Sequence, residues 1–361
     1  MLIIMNSDAT KEQVDHVTSR VREAGFKDHI MPGAGKVAIG VTGTGDYDQT
    51  KLHLEILPGV FKIMRITKSW KLASRQVKSE PTIVDVQGVK FGGNHIAMIA
   101  GPCAVESEDF TITIAKIARD RGAQMLRGGA YKPRTSPYSF QGLREKGLEI
   151  LAKASEITGL PFVTEVVCEK DVEIVSQYAH MLQIGARNMQ NFRLLERVAS
   201  AGKPVLLKRG MSATMDETLL SAEHLLSKGC YDVVLCERGI RTFSNHARNT
   251  LDISIIPALR KVSHLPIIVD PSHSAGKRSM VIPHALAGIG AGGDGIIVEI
   301  HHKPEEAMCD GPQALLPNEF SHMMRLCRGV SSALGRSIGT EYVMNDDLEQ
   351  ESDPLKIAMH M

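Results

Sequence analysis

Eight short, mostly apolar runs punctuate the chain between residues 97 and 299: AMIAG, QMLRG, PFVTEV, LQIGA, PVLLK, DVVLCE, PIIVD and GIIVE, each followed by a longer amphipathic stretch. A strand with one wet face alternates apolar and polar residues. A parallel strand covered on both faces reads instead as a continuous run rich in Ile, Val and Leu. Eight such strands with helical segments between them predict an α/β chain closed into a (β/α)8 TIM barrel. An open doubly wound sheet would need a glycine fingerprint after its first strand, and that is missing.

A barrel of this kind takes roughly 250 residues, so a chain of 361 has room for more. Residues 1–66 read as strand, helix, strand, helix, strand: LIIM, Lys11 to Glu23, KVAIGV, Gln49 to Ile56 and VFKIMRI, with Gly25, Gly33, Gly35 and Pro58-Gly59 as turn residues. A small βαββαβ-like α+β sandwich is the natural expectation. Residues 67–81 carry Lys68, Lys71, Arg75 and Lys78 without periodicity and form the expected linker. TIVDV and VKF, around Gln87-Gly88, signal a hairpin suited to plugging the floor of a barrel spanning residues 82–336. Residues 337–361 are left as a polar, partly acidic tail.

A net charge of +1 removes any whole-surface case for nucleic acid or an acidic membrane, so neither is expected as a partner. No stretch approaches the roughly 18 uninterrupted apolar residues of a membrane span, and the apolar start Met1 to Met5 lacks the features of a signal peptide. A cytoplasmic protein is expected. The six cysteines, with no CxxC pair, argue for reduced thiols.

In barrels of this class the chemistry sits at the carboxyl ends of the strands. The residues there are Cys103 and Glu106, Arg127 and Lys132, Glu165, Arg187, Lys208 and Arg209, Glu237 and Arg238, Asp270 and His273, and Glu299 and His301. Solvated rim charges explain any one of them. Cations at the second, fourth, fifth and sixth mouths would repel one another unless anions lay between them. The run LRGGAYKPRTSPYSFQG adds Lys132, Pro133, Arg134, Thr135 and Ser136, whose cations and hydroxyls suit phosphate oxygens. Cys103, His273, Glu299 and Asp310 follow the first, seventh and eighth strands, which become neighbours when a barrel closes. One thiolate, one imidazole and two carboxylates suit a divalent metal ion such as Mn, Fe, Co or Zn.

These motifs, GPCAVE, LRGGAYKPRTSPYSFQG, QIGARNMQNF, LLKRG, CERGIRTF, RNTLDIS, VDPSHSAGKR and VEIH, resemble those of the 3-deoxy-D-arabino-heptulosonate 7-phosphate (DAHP) synthase family, type Iβ, with an N-terminal ferredoxin-like regulatory domain. The resemblance implies a transferase that condenses phosphoenolpyruvate with erythrose 4-phosphate in the shikimate pathway. It implies that Cys103, His273, Glu299 and Asp310 hold the metal, and that Arg127, Lys132 and Lys208 meet the phosphoenolpyruvate carboxylate or the reacting carbons. Arg187 and Arg238 would clamp its phosphate. Lys132, Pro133, Arg134, Thr135 and Ser136 would take erythrose 4-phosphate, with Glu237 and Asp270 in support of catalysis. It further implies a homotetramer regulated by tyrosine or phenylalanine, with His29, read as lying in a loop after the first helix, as the effector contact. Met31 stands where the family pattern suggests serine.

Three rivals remain. A 3-deoxy-D-manno-octulosonate 8-phosphate synthase would resemble KANRSS where this chain reads KPRTS; a metal-dependent hydrolase would use HxH after the first strand; and a noncatalytic sensor would lose the metal ligands that this chain retains.

Overall fold

Residues 1–33, 36–43, 46–64, 69–133, 136 and 138–339 are described by the structure, a computed structural model. The first unit contains β1 (Leu2–Met5), α1 (Lys11–Glu23), β2 (Lys27–Gly33), β3 (Lys36–Thr42), α2 (Tyr47–Glu55) and β4 (Val60–Met64). Its strands form an antiparallel sheet in the order β2-β3-β1-β4. Thr10 and Gln13 close a capping box at the start of α1, satisfying two amide donors that a helix end would otherwise leave unpaired. Val14, Val17 and Val21 then fall on one helical face, in a core with Ile3, Ile39 and Val41.

Strand β2 corrects the sequence reading, which left KDHIMPG as a loop. It pairs with β3 from Lys27↔Thr42 to Gly33↔Lys36. Its buried residues are His29 and Met31, on the sheet face that meets Leu72 and Tyr231, so a polar side chain hides the period of two, and an edge position tolerates Pro32.

The described part of the linker is strapped to the barrel. Trp70 Nε1 donates to Asp216 Oδ1 at 2.9 Å, and the amides of Leu72 and Ala73 donate to the Glu223 carboxylate at 2.8 and 3.0 Å. The buried His264 ring lies between the Leu72 carbonyl (Nε2, 2.7 Å) and the Thr82 hydroxyl (Nδ1, 2.8 Å). Burial pushes its pKa down to about 4. Between that value and the ordinary one near 6.5 the unfolded chain binds the proton and the folded chain does not, so stability falls as the pH drops through this window. The imidazole alone is expected to make the protein about 2 kcal/mol less stable at pH 5 than at pH 7. Urea unfolding of wild type and His264→Gln at both pH values tests this; the same pH dependence in both would refute it.

After the hairpin β5 (Val84–Val86) and β6 (Val89–Phe91) come β7 (Ala97–Gly101), β8 (Met125–Arg127), β9 (Phe162–Val166), β10 (Met181–Ile184), β11 (Val205–Lys208), β12 (Val233–Glu237), β13 (Ile267–Val269) and β14 (Gly295–Glu299). All eight are parallel, and the barrel closes where β14 pairs with β7. Around it lie α3 (Glu108–Asp120), α4 (Glu145–Thr158), α5 (Val172–Tyr178), α6 (Phe192–Ala199), α7 (Met215–Ser227), α8 (Ile255–Val262), α9 (Pro271–Ala275), α10 (Arg278–Gly290) and α11 (Pro317–Ala333). Val84, Val86, Val89 and Phe91 share one buried cluster with Ala97, Ile99, Met125, Val163, Met181, Leu206, Val234, Cys236, Ile268 and Ile297. The hairpin therefore plugs the barrel floor. Among the described residues no helix is long and apolar enough to cross a membrane.

Candidate active site

The floor cluster fixes what the mouth presents. Side chains alternate along a strand with a period of two, so an inward Ile99 implies an inward Gly101, and Cys103 continues that parity. By the same count Met125 brings Arg127 inward, Val163 brings Glu165, Leu206 brings Lys208, Cys236 brings Arg238, Ile268 brings Asp270 and Ile297 brings Glu299. Arg127, Glu165, Lys208 and Arg238 indeed line one cavity of about 290 Å³, together with Lys132, Pro133, Ser136, Arg187, His273 and Asp310.

On one side of this cavity the potential metal donors gather. Asp310 Oδ2 lies 3.3 Å from Cys103 Sγ and 3.9 Å from His273 Nε2, while His273 Nε2 is 3.3 Å from Glu299 Oε1. Two donor triads thus share Asp310: Cys103, Cys309 and Asp310, and His273, Glu299 and Asp310. Cys309, absent from the sequence-derived set, places its sulfur 3.1 Å from that of Cys103. Its neighbourhood with Asp310 in the chain was the available signal. The donors are one nitrogen, sulfur and carboxylate oxygens, a set that fits a borderline divalent transition ion.

Cations surround these donors. Lys132 Nζ donates to Cys103 O at 3.0 Å and to Cys103 Sγ at 3.1 Å, and Arg127 Nη1 donates to Glu299 Oε1 at 2.5 Å. Burial raises the Glu299 pKa, but His273, Arg127 and Lys132 outweigh it and hold the group at about 2. Its other oxygen accepts from Gln313 Nε2 at 2.6 Å. Asp270 makes an ion pair with Lys208 and sits 2.8 Å from His273 Nδ1. The His273 ring and the Lys208 ammonium together overcome burial and keep Asp270 well below the usual carboxylate range.

Further into the cavity Arg187, Lys208, Arg238 and Arg248 converge. The buried Arg238 Nη1 has no hydrogen-bond partner among the described residues, and desolvation, with Arg248 and Arg187 nearby, lowers the Arg238 pKa. Such a corner is built for an anion. Arg248 was not singled out from sequence because it lies between β12 and α8, away from any strand end. Gly276 makes room for it, with a φ of 66° and a hypothetical Cβ only 2.6 Å from that of Arg248. Gln183 also lines the cavity and donates to Glu165 Oε2 at 3.3 Å.

Two expected site residues are placed differently. Glu237 has the opposite parity to Cys236 and Arg238. Its carboxylate turns into the wall, accepting from Arg209 Nη1 at 3.0 Å, Gly239 N at 2.7 Å and Asp252 N at 3.3 Å. It holds the β12 loop and is not among the residues that line the cavity, so any part it plays in catalysis would run through Arg209 and that loop. His29 is on β2, not in a loop, and is 6% exposed. Its Nε2 is 3.0 Å from Thr42 Oγ1, and its Nδ1 is 3.4 Å from Tyr231 Oη on the barrel. Arg134 and Thr135 lie outside the described residues.

A family model described as the DAHP synthetase I family matches residues 76–336, and one described as the DAHP synthase ferredoxin-like domain matches residues 1–68. The chain is 46% identical to the phospho-2-dehydro-3-deoxyheptonate aldolase of Thermotoga maritima over 335 residues, covering 93% of this chain and 99% of that one. It is 29% identical to the 2-dehydro-3-deoxyphosphooctonate aldolase of a Geobacter species over 272 residues, 70% of this chain and 98% of that one. Among solved structures, the Thermotoga maritima phospho-2-dehydro-3-deoxyheptonate aldolase (DAHP synthase) superposes with a TM-score of 0.75 at 45% identity, covering 94% of this chain and 99% of that one. A truncated form of 3-deoxy-D-arabino-heptulosonate 7-phosphate synthase from the same organism gives 0.71 at 48%, covering 75% of this chain and all of that one.

Proposed function

The chain belongs to the DAHP synthetase I family, and on that premise we propose that it condenses phosphoenolpyruvate, erythrose 4-phosphate and water to DAHP and phosphate with the help of a divalent metal ion. The observation that carries this reading is the single cavity, with mixed sulfur, nitrogen and oxygen donors on one side and a cluster of arginine and lysine cations on the other. Two phosphoesters need such a frame, because cations offset their mutual repulsion and fix their register.

In the proposed mechanism Arg187 and Arg238, joined by Arg248, grip the phosphate of phosphoenolpyruvate, and Arg127 and Lys208 meet its carboxylate. Ser136, with Arg134 and Thr135, receives the phosphate of the aldose. Cys103, His273, Glu299 and Asp310 would hold the metal, which supplies Lewis-acid polarisation of the aldehyde oxygen when bound. Lys132, held at the Cys103 carbonyl and sulfur, is the proton donor to that oxygen as C3 of phosphoenolpyruvate bonds to the aldehyde carbon. Water then adds at C2 and returns a proton to Lys132, and the C2–O bond to phosphate breaks as the C2 hydroxyl passes its proton to the departing phosphate. Asp270 keeps Lys208 and the His273 ring in place throughout.

Erythrose 4-phosphate is favoured over arabinose 5-phosphate because the greater identity, over most of both chains, is to the heptonate enzyme. Incubating the full-length protein and phosphoenolpyruvate with each aldose, with and without chelator, tests the proposal. DAHP formed from erythrose 4-phosphate and lost with chelator is expected; product from arabinose 5-phosphate alone, or a rate indifferent to chelator, would overturn it. The match of residues 1–68 to the ferredoxin-like domain supports feedback control by tyrosine or phenylalanine. Adding either amino acid to the same assay tests that control.

A further inference from the structure

Three of the donor residues sit on three separate chain segments: Cys103 after β7, Glu299 at the end of β14, and Asp310 in the loop that follows. Asp310 is the least secure of them. Its φ of 52° puts a residue with a side chain in the left-handed region, which costs roughly 1 kcal/mol or more outside glycine. A loop bent in this way relaxes unless something outside it fixes its backbone.

One carboxylate touches all three segments. Glu106, three residues beyond Cys103, accepts a hydrogen bond from the Met308 backbone amide at 2.9 Å through Oε1. Met308 is two residues before Asp310. The other oxygen, Oε2, faces His301 Nε2 at 3.7 Å, and His301 is two residues beyond Glu299. The His301 ring is itself held: Nδ1 accepts from the Lys303 amide at 3.0 Å, and the Phe110 ring covers it at a centroid distance of 4.5 Å. Nε2 is buried and has no hydrogen-bond partner among the described residues, leaving Glu106 as the polar group it faces.

We propose that Glu106 is a positioning residue for the metal centre, tethering the Asp310 loop through the Met308 amide and bracing it against His301, so that the donors of three segments are preassembled before the ion arrives. This rests on the metal-dependent reading above. Glu106 belongs neither to the donor triads nor to the cavity lining; it acts by lowering the freedom that Asp310 must give up on binding, and outer groups of this kind are typically worth about ten- to a hundredfold in metal affinity.

The test uses metal-free, full-length protein titrated with Co(II) against a competing chelator, with the thiolate-to-cobalt absorption band recorded to show that Cys103 is engaged. Glu106→Ala is expected to weaken Co(II) binding by about ten- to a hundredfold while the thiolate band still develops at saturation. Glu106→Gln keeps an acceptor for the Met308 amide and should bind within about threefold of wild type. The thermal midpoint of the metal-free protein separates this effect from general unfolding and is expected to fall by no more than about 4 °C in Glu106→Ala and less in Glu106→Gln. Wild-type affinity in Glu106→Ala, or equal weakening in Glu106→Gln and Glu106→Ala, would overturn the tether. Wild type that binds no Co(II), or binds it without a thiolate band, would instead bring down the metal reading on which the proposal stands.

Discussion

Replacing Cys103 by alanine is expected to lower turnover at least about a thousandfold, and excess divalent metal should not restore it. On the proposed mechanism, an ion lost with Cys103 would take with it several kcal/mol of barrier-lowering at the aldehyde, and about 4 kcal/mol corresponds to that factor. The residue is well anchored: its carbonyl accepts from Gly129 N at 3.2 Å, Lys132 Nζ at 3.0 Å and Arg127 Nη2 at 3.4 Å. Cys309, 3.1 Å away, offers a second sulfur, but it is carried by the loop that leads into the left-handed Asp310. Cys309→Ala is therefore expected to stay within about tenfold of wild type, since its partner keeps both the anchored backbone and the Lys132 contact. Steady-state rates of both variants after metal stripping and reconstitution decide the matter. Full activity of Cys103→Ala in metal-free buffer would remove Cys103 from the ligand set, and a larger loss in Cys309→Ala would exchange the two roles.

The barrel was legible because all eight strands are covered on both faces, so their sequences contain little besides core residues. The inward groups were half legible. Residue type marked the strand ends, but only parity says which side of the wall a side chain takes, and the floor cluster supplies it. Counting from Cys236 would have sent Glu237 into the wall and Arg238 into the cavity, and counting from Met181 would have added Gln183. Parity ends where the strands end, so Cys309 and Arg248, both in loops, left no such trace. Strand β2 was missed for the related reason that His29, buried against the barrel, is polar: the alternation runs through the His29 and Met31 positions but does not look hydrophobic. Its ring is occupied by Thr42 and the barrel's Tyr231, so an effector reaching His29 has to displace that contact.

Asp270 is the position where one change should damage stability and catalysis together. Its side chain is fully buried, and it does three jobs: Oδ1 accepts from the His273 amide at 2.9 Å and caps α9, while Oδ2 pairs with Lys208 and lies 2.8 Å from His273 Nδ1. Asp270→Asn keeps an oxygen for the cap but removes the charge, leaving a buried Lys208 ammonium without its counterion. Breaking one half of such a pair typically costs about 3–5 kcal/mol, far more than a cap alone at about 1 kcal/mol. The same change frees Lys208 and the His273 ring, and displacement by about 1 Å at a reacting centre costs roughly a hundredfold in rate. With two groups affected, kcat/KM should fall by about a hundred- to a thousandfold. Adding Lys208→Met to Asp270→Asn removes the stranded charge, so part of the lost stability is expected to return while activity does not. Urea unfolding and steady-state kinetics of the single and double variants read the two effects separately. An Asp270→Asn protein with wild-type stability would show that the Lys208 pair is not what holds this side of the barrel, and wild-type kcat/KM would show that neither Lys208 nor the His273 ring needs it.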